Sequence, residues 1–164
     1  MFQFLQVLSL VLVAVGMGLS LAHALEYPGK LRLPKDIYLT VQTIYYPGFT
    51  IGGFFGEFGA IVATFVLLVV TPSGDAIFSL TLSAFVALVI MDIVYWVVLQ
   101  PVNKVWLQKQ KMGVAGNTFF ATGRGNTLRD ADWTSLRTRW EYAHIARAAL
   151  AMFALIALAA AVTT

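Results

Sequence analysis

The sequence predicts an all-α integral membrane protein, a four-helix bundle, and its composition and hydropathy both point to that fold class. Of its 164 residues, 59% are apolar and 12% are charged, whereas an average soluble domain is about a quarter charged. Four long apolar runs cover residues 4–25, 49–70, 77–99 and 143–162. Each is long enough to cross a hydrocarbon layer of roughly 30 Å as a helix. We therefore expect one four-span membrane domain over residues 1–164.

The distribution of basic residues predicts how the bundle is oriented. Ten of the eleven Lys and Arg residues fall in segments 26–48 and 100–142, and none lies at the termini or in the turn between the second and third runs. By the positive-inside rule, both basic segments are cytoplasmic and both termini lie on the non-cytoplasmic side. The predicted location is a bacterial inner membrane, crossed four times.

The first apolar run ends in Ala22-His23-Ala24, which has the small-residue pattern of a signal-peptide cleavage site. However, residues 1–3 carry no positive charge, and the run is longer than a typical signal-peptide core. We expect it to be a retained helix. Because Tyr27 precedes a proline and is biased away from helical backbone, this helix should end near Tyr27.

Two features of the composition exclude whole classes of function. The chain has no cysteine, which excludes disulfides, thiolate metal sites and CxxC redox chemistry. Its net charge of +3 follows the predicted membrane topology, so we expect the lipid bilayer as a partner and no nucleic acid.

Local patterns predict three further features. A short helix should begin after Pro34 and run to about Tyr46, with Tyr38, Gln42 and Tyr45 on one face. That face is either an interfacial aromatic belt or a lid over a pocket. Gly52 and Gly56 form a GxxxG pair, which lets two helix backbones approach closely in lipid. Asp130 or Asp132 should cap a helix that begins at about Trp133.

The ionisable side chains within the apolar runs gather in the predicted cytoplasmic half. His23 lies one turn inside the end of the first run, and His144 about one turn inside the start of the fourth. Glu57 and Asp92 each lie about eight residues in, or roughly 12 Å along a helix. Scattered polar residues would not be expected to gather on one side, so we expect a polar site here.

The spacing of these residues is similar to that of a carboxylate-bridged metal site. Such sites in four-helix bundles use a Glu-x-x-His from two helices and a lone Glu from each of the others. Here the candidate metal ligands are His23, Glu26, Glu57, Asp92, Glu141 and His144. The first pair runs in the reverse order, and one lone carboxylate is Asp. Imidazole suits Fe, Cu and Zn alike, and His23 and His144 could instead hold a haem.

The two glutamates and Arg147 complete the predicted site. Glu26 and Glu141 each lie one turn from a histidine and could accept a hydrogen bond from its non-ligating nitrogen. Arg147 sits in an apolar run and should pair with Glu57 or Asp92, because an unpaired charge at that depth is costly. Four interpretations stay open: a structural polar cluster, a transition metal, a haem, or a cofactor-free site for proton transfer or ligand binding.

Four motifs stand out along the chain: His23-x-x-Glu26-x-Pro28-x-Lys30, residues 42–49, residues 101–104 and Trp140-x-x-x-His144-x-x-Arg147. Together they resemble a family of small four-helix bacterial membrane proteins related to the anthrone oxygenases of polyketide pathways. The resemblance covers nearly the whole chain. It implies a four-helix membrane fold and an O₂-dependent oxidation of an aromatic or quinone-like substrate.

Two function hypotheses follow. The first is a membrane oxidoreductase with a metal or haem between the first and fourth helices and an apolar aromatic substrate. In that hypothesis the pocket is lined by Tyr27, Lys30, Tyr45 and Tyr46. The second is a non-catalytic accessory or assembly subunit of a larger membrane complex, or of a homo-oligomer. The small size of the chain and the glycines of its second helix favour this hypothesis.

Overall fold

The computed structural model describes residues 1–107 and 132–164, and within these ranges the chain is helical and contains no strand. The helices are α1 (Phe2–Lys30), α2 (Lys35–Gln42), α3 (Gly48–Val70), α4 (Ala76–Leu107) and α5 (Trp133–Thr163). A 3₁₀ turn, Thr43–Tyr45, follows α2. The glycine-containing loop predicted between α4 and α5, and Asp130 within it, lie outside the described residues.

Helices α1, α3, α4 and α5 are long and apolar enough to cross a membrane, which confirms the prediction of four spanning helices. Helix α5 packs against α1 and α4, and α3 packs against the same two helices from the other side. Their shared core is rich in alanine, including the fully buried Ala60, Ala84 and Ala154. Small side chains of this kind let helices approach closely where lipid supplies no hydrophobic drive.

Helices α3 and α4 each contain one π-helical turn, at Phe54–Phe58 and at Tyr95–Leu99. Such turns add a residue to the helix and frequently occur at functional sites. The turn in α4 stands just before Pro101, which has no N–H to bond the carbonyl four residues back. With the backbone bonding rearranged there, α4 continues to Leu107, past the end of the predicted span.

Helix α1 does not end at Tyr27, so that prediction was wrong. The helix runs through Pro28 to Lys30. Continuation places Lys30 one turn after Glu26, where its Nζ lies 2.9 Å from Glu26 Oε2. The bias of a residue before proline is local and weak, and this partly buried ion pair outweighs it.

The shorter features follow the predicted pattern in part. Helix α2 ends at Gln42, before the predicted end, and a 3₁₀ turn carries the chain on to Tyr45. Asp132 caps α5 by accepting hydrogen bonds from the backbone of Thr134 and Ser135. The Thr134 hydroxyl also donates to Asp132, and this bond is the main reason that the pKa of the carboxyl lies below its usual value.

The GxxxG glycines join α3 to α1 within one chain. A Cβ added to Gly56 would lie 2.7 Å from the backbone nitrogen of Gly16, and one added to Gly52 would lie 3.0 Å from Leu19 Cδ1. Real Cβ atoms do not approach backbone that closely, so only glycine fits at Gly56. This close approach brings Glu57, the next residue, into the bundle beside α1.

Candidate functional site

A cavity of about 430 Å³ lies in the half of the bundle nearer α2. Its aromatic lining comes from α3, α4, α5 and the segment after α2, and consists of Tyr45, Tyr46, Phe49, Phe54, Phe58, Tyr95, Trp96, Trp106 and Trp140. Its polar lining consists of Ser20, His23, Gln42, Thr50, Glu57, Asp92, Asn103, His144 and Arg147. Both π-helical turns contribute side chains to this lining.

The two histidines lie together at the wall of the cavity. The ring centroids of His23 and His144 are 4.1 Å apart, and both side chains are buried. Trp140 packs against both rings, at 4.9 Å from His23 and 4.1 Å from His144. Within the described residues, His144 Nδ1 has no hydrogen-bond partner. His144 Nδ1 is therefore a buried polar atom without a protein partner beside the cavity.

Behind the histidines lies a buried ammonium group, that of Lys30, which is 4% exposed. Its Nζ lies 2.9 Å from Glu26 Oε2, 3.4 Å from His23 Nδ1 and 3.9 Å from Glu141 Oε1. We call His23, Glu26, Lys30 and Glu141 the Lys30 cluster. An ammonium group can only donate, so His23 Nδ1 accepts, and the neutral ring then carries its proton on Nε2.

The two glutamates of the Lys30 cluster do not hold the histidines in the way that the sequence predicted. Tyr38 donates to Glu141 Oε1 at 2.7 Å, and Tyr45 donates to Glu26 Oε2 at 2.5 Å. Burial raises the pKa of both tyrosine hydroxyls, and the hydrogen bonds to the glutamates raise it further. Both hydroxyls therefore stay protonated at neutral pH and remain donors.

Arg147 lies deeper in the cavity wall and forms a salt bridge with Glu57. The arginine is 3% exposed, and its guanidinium carbon lies 5.3 Å from the centre of the Tyr95 ring. Asp92, the other carboxylate considered for this pair, accepts a hydrogen bond from Trp96. Of the two predicted partners, Glu57 is thus the one bonded to Arg147.

The six predicted metal ligands do not converge on one point. Across residues 1–107 and 132–164, no three His, Asp or Glu side chains gather closely enough to hold a metal ion. The physical reason is that two protein cations already bind these carboxylates. Lys30 lies between Glu26 and Glu141, and Arg147 is bonded to Glu57. A metal cation would have to displace a buried positive charge.

A haem held between the two histidines does not fit this geometry either. Two imidazoles on opposite faces of a haem have ring centroids roughly 6 Å apart, because each nitrogen–metal bond is about 2 Å long. The rings of His23 and His144 are 4.1 Å apart and in direct contact. The space that a haem plane would need between them is absent.

The predicted pocket tyrosines separate into two groups. Tyr45 and Tyr46 line the cavity, whereas Tyr27 does not, and its ring lies 5.9 Å from that of Tyr142 instead. Tyr27 follows Glu26 by one residue and so points about 100° away around the helix. Lys30 is also outside the lining, with its Nζ 4.9 Å from the centre of the Tyr45 ring.

Three further residues shape the site in ways that the sequence does not predict. Tyr38 lies outside the lining, is completely buried and donates to Glu141. Trp106 reaches the cavity because α4 continues past Pro101, and Asn103 accepts from Trp140 Nε1 at 3.0 Å. The sequence feature that could indicate these lining residues is the aromatic content of residues 95–106. That content is equally typical of an interfacial aromatic belt.

Comparisons of the chain with protein-family models, with curated proteins and with solved structures found no match. The resemblance to the anthrone oxygenase-like family therefore stays a prediction that rests on the motifs of the chain itself.

Proposed function

We propose that this membrane protein binds an apolar aromatic molecule of the quinone type in its cavity and oxidises such a molecule in an oxygenase-like reaction. The observation that carries the binding part is the combination of an aromatic lining with buried polar atoms that lack partners. The reaction class is the one that the sequence resemblance implies.

The size and lining of the cavity suit a flat aromatic ligand. Its volume of about 430 Å³ falls in the usual range for small-molecule sites, roughly 300–1,000 Å³. Rings from α3, α4, α5 and the segment after α2 can stack on such a ligand or meet it edge-on. Because the site lies in an apolar bundle, a ligand with little charge would lose the least hydration on binding.

Polar atoms in the lining predict that the ligand carries oxygens. Four lining residues each hold a buried polar atom that has no hydrogen-bond partner among the described residues, namely Ser20 Oγ, Gln42 Nε2, His144 Nδ1 and Arg147 Nε. Leaving such a group unpaired costs about 1–3 kcal/mol. Gln42 Nε2 and Arg147 Nε are donors, so the carbonyl oxygens of a quinone would satisfy them.

The same groups can support oxidation of an aromatic substrate by O₂. In the proposed reaction, a methylene group between two rings and one O₂ give a carbonyl group and one water. His144 would take the first proton from the methylene carbon through its free Nδ1. Arg147 would stabilise the oxyanion that forms when that negative charge spreads onto the substrate oxygen.

Quinone binding can be measured through the tryptophans, because three of the four in the chain line the cavity. We expect 1,4-naphthoquinone to quench the fluorescence of the reconstituted protein saturably. Gly53→Leu places a side chain in the cavity lining and should raise Kd at least about tenfold, equivalent to about 1.4 kcal/mol. Gly18→Leu is the matched control, since a Cβ there meets nothing within 4 Å.

Quenching without saturation, or an equal Kd for the two leucine variants, would contradict the binding proposal. The reaction is tested separately by O₂ uptake with anthrone as substrate, in which His144→Ala should lose the uptake. Saturable quinone binding without O₂ uptake would support the binding site and contradict the proposed reaction.

We also propose that the basic segments face the cytoplasm of a bacterium and that both termini lie outside. The ten-to-none distribution of Lys and Arg supports this orientation. A periplasmic reporter fused after Thr164 should therefore be active. A fusion that is active only with a cytoplasmic reporter would contradict the orientation.

The alternative function, an accessory or assembly subunit, has one feature in its favour. An apolar groove lies on the outer face of α4 and α5 and is lined by Ser79, Leu82, Ser83, Val86, Ala87, Ile90, Leu150 and Phe153. Its small side chains would admit a helix of another subunit. Absence of quinone binding, together with loss of a co-purifying membrane protein on Ser83→Leu, would favour this alternative.

A further inference from the structure

We infer that ligands enter the cavity sideways from the hydrocarbon layer, through an opening between α3 and α4 at the level of their π-helical turns. This inference rests on the proposed binding function and adds to it the class of ligand, a molecule dissolved in lipid.

Three aromatic side chains mark the opening. Phe54 and Phe58 on α3 and Trp96 on α4 all line the cavity. Their exposed fractions are nevertheless high, at 57%, 56% and 43%. A side chain that borders an internal cavity and the outer surface at the same time lies at the rim of an opening. All three belong to the π-helical turns.

The packing of α3 and α4 explains why a gap exists there. The two helices contact each other mainly through Gly59–Val70 and Ala76–Val94, the parts that adjoin the turn between them. In that region the rings of Phe65 and Phe85 lie 5.7 Å apart. Towards α2, by contrast, α3 packs on α1 through Gly56 and Gly16. This contact draws α3 towards α1, and the π-helical turns of α3 and α4 border the gap.

A carboxylate at the rim supports the same interpretation. Asp92 lies within an apolar span, lines the cavity and is only partly buried. Ionisable residues within spans almost always face the bundle interior or a water-filled space. Asp92 accepts from the indole of Trp96, so the polar interior of the cavity extends to the rim side chain itself.

The face of the cavity nearer α2 is held closed by hydrogen bonds. The segment after α1 is fastened by Tyr38 to Glu141 and by Tyr45 to Glu26. At the rim, by contrast, α3 contributes the apolar rings of Phe54 and Phe58. A lipid-dissolved ligand can therefore meet apolar rings on the α3 side of the opening, whereas entry from the α2 side would break the bonds of Tyr38 and Tyr45.

The test uses the absence of native cysteines and a matched pair of neighbouring positions. Phe54 and Phe55 are similarly exposed, at 57% and 63%, but only Phe54 lines the cavity. Phe54→Cys and Phe55→Cys, each labelled with N-benzylmaleimide, are reconstituted in phosphatidylcholine vesicles that contain 1,4-naphthoquinone. The rates of tryptophan quenching and of its recovery are measured by stopped flow.

We expect the label at position 54 to slow association by at least about tenfold and to slow dissociation as well, because both steps pass the same opening. The label at position 55 should leave both rates within about twofold of the unlabelled protein. Trp96→Cys and its outward neighbour Val97→Cys form a second pair, for use if Phe54→Cys does not fold.

Equal rates in the two labelled variants would overturn the lateral opening while leaving quinone binding intact. A label at position 54 that weakens Kd but leaves the association rate unchanged would place Phe54 in the binding site and would also overturn it. Absence of saturable quenching in the unlabelled protein would instead overturn the proposed function itself.

Discussion

Replacing Arg147 by leucine is expected to destabilise the protein by about 3–5 kcal/mol, the usual effect of removing one partner from a buried ion pair. Arg147 is 3% exposed and bonded to Glu57, whose side chain is 14% exposed. Without the arginine, Glu57 is left in an apolar bundle with no countercharge. The free energy of unfolding in detergent micelles, measured by denaturant titration, checks this value.

Two further variants identify the cause of that destabilisation. Because replacing both partners of a buried pair is often near neutral, Arg147→Leu combined with Glu57→Leu should recover most of the loss. Arg139→Leu, at an exposed position of the same helix, should change stability by less than about 0.5 kcal/mol. If the double variant is no more stable than Arg147→Leu alone, the pairing does not determine stability.

Replacing Lys30 by methionine is expected to have a comparable effect, also about 3–5 kcal/mol. Lys30 is 4% exposed, and one of its two carboxylate neighbours, Glu141, is fully buried. Methionine fills a similar volume but removes the positive charge, so among the described residues Glu141 keeps the hydroxyl of Tyr38 as its donor. The measurement is again the free energy of unfolding.

The control and the rescue for Lys30 are both available in the chain. Lys35→Met removes an exposed lysine just beyond α1 and should leave stability nearly unchanged. Adding Glu141→Gln to Lys30→Met removes the uncompensated charge while keeping an acceptor for Tyr38, so part of the stability should return. Equal stabilities for Lys30→Met and Lys35→Met would show that the Lys30 cluster is not a stabilising unit.

The choice between a metal and protein cations depends on geometry between helices. Spacing along the sequence predicts one shared site for His23, Glu26, Glu141 and His144, and the two histidine rings do lie together. It could not show that Lys30 would lie between the two glutamates. That outcome required α1 to continue through Pro28, which the local preference of residue 27 disfavours.

The sequence by itself determined the four spans and the half of the bundle in which the polar site lies. These properties depend on the length and apolar character of continuous segments. The hydropathy of a segment is the sum over its own residues and does not depend on the helices packed against it. For the same reason, it indicated that Arg147 needed a carboxylate partner. The cost of an unpaired charge in an apolar run is a property of that run alone.

The tertiary structure alone decided which of these groups meet. Whether Arg147 bonds Glu57 or Asp92 depends on how α3 and α4 are rotated about their axes. The π-helical turns at Phe54–Phe58 and Tyr95–Leu99 alter that rotation by adding a residue to each helix. The cavity also depends on packing between helices. Gly56 packs against Gly16 and draws α3 towards α1, which leaves a gap between α3 and α4. Distances across helices follow from this packing, and no spacing within a single helix contains them.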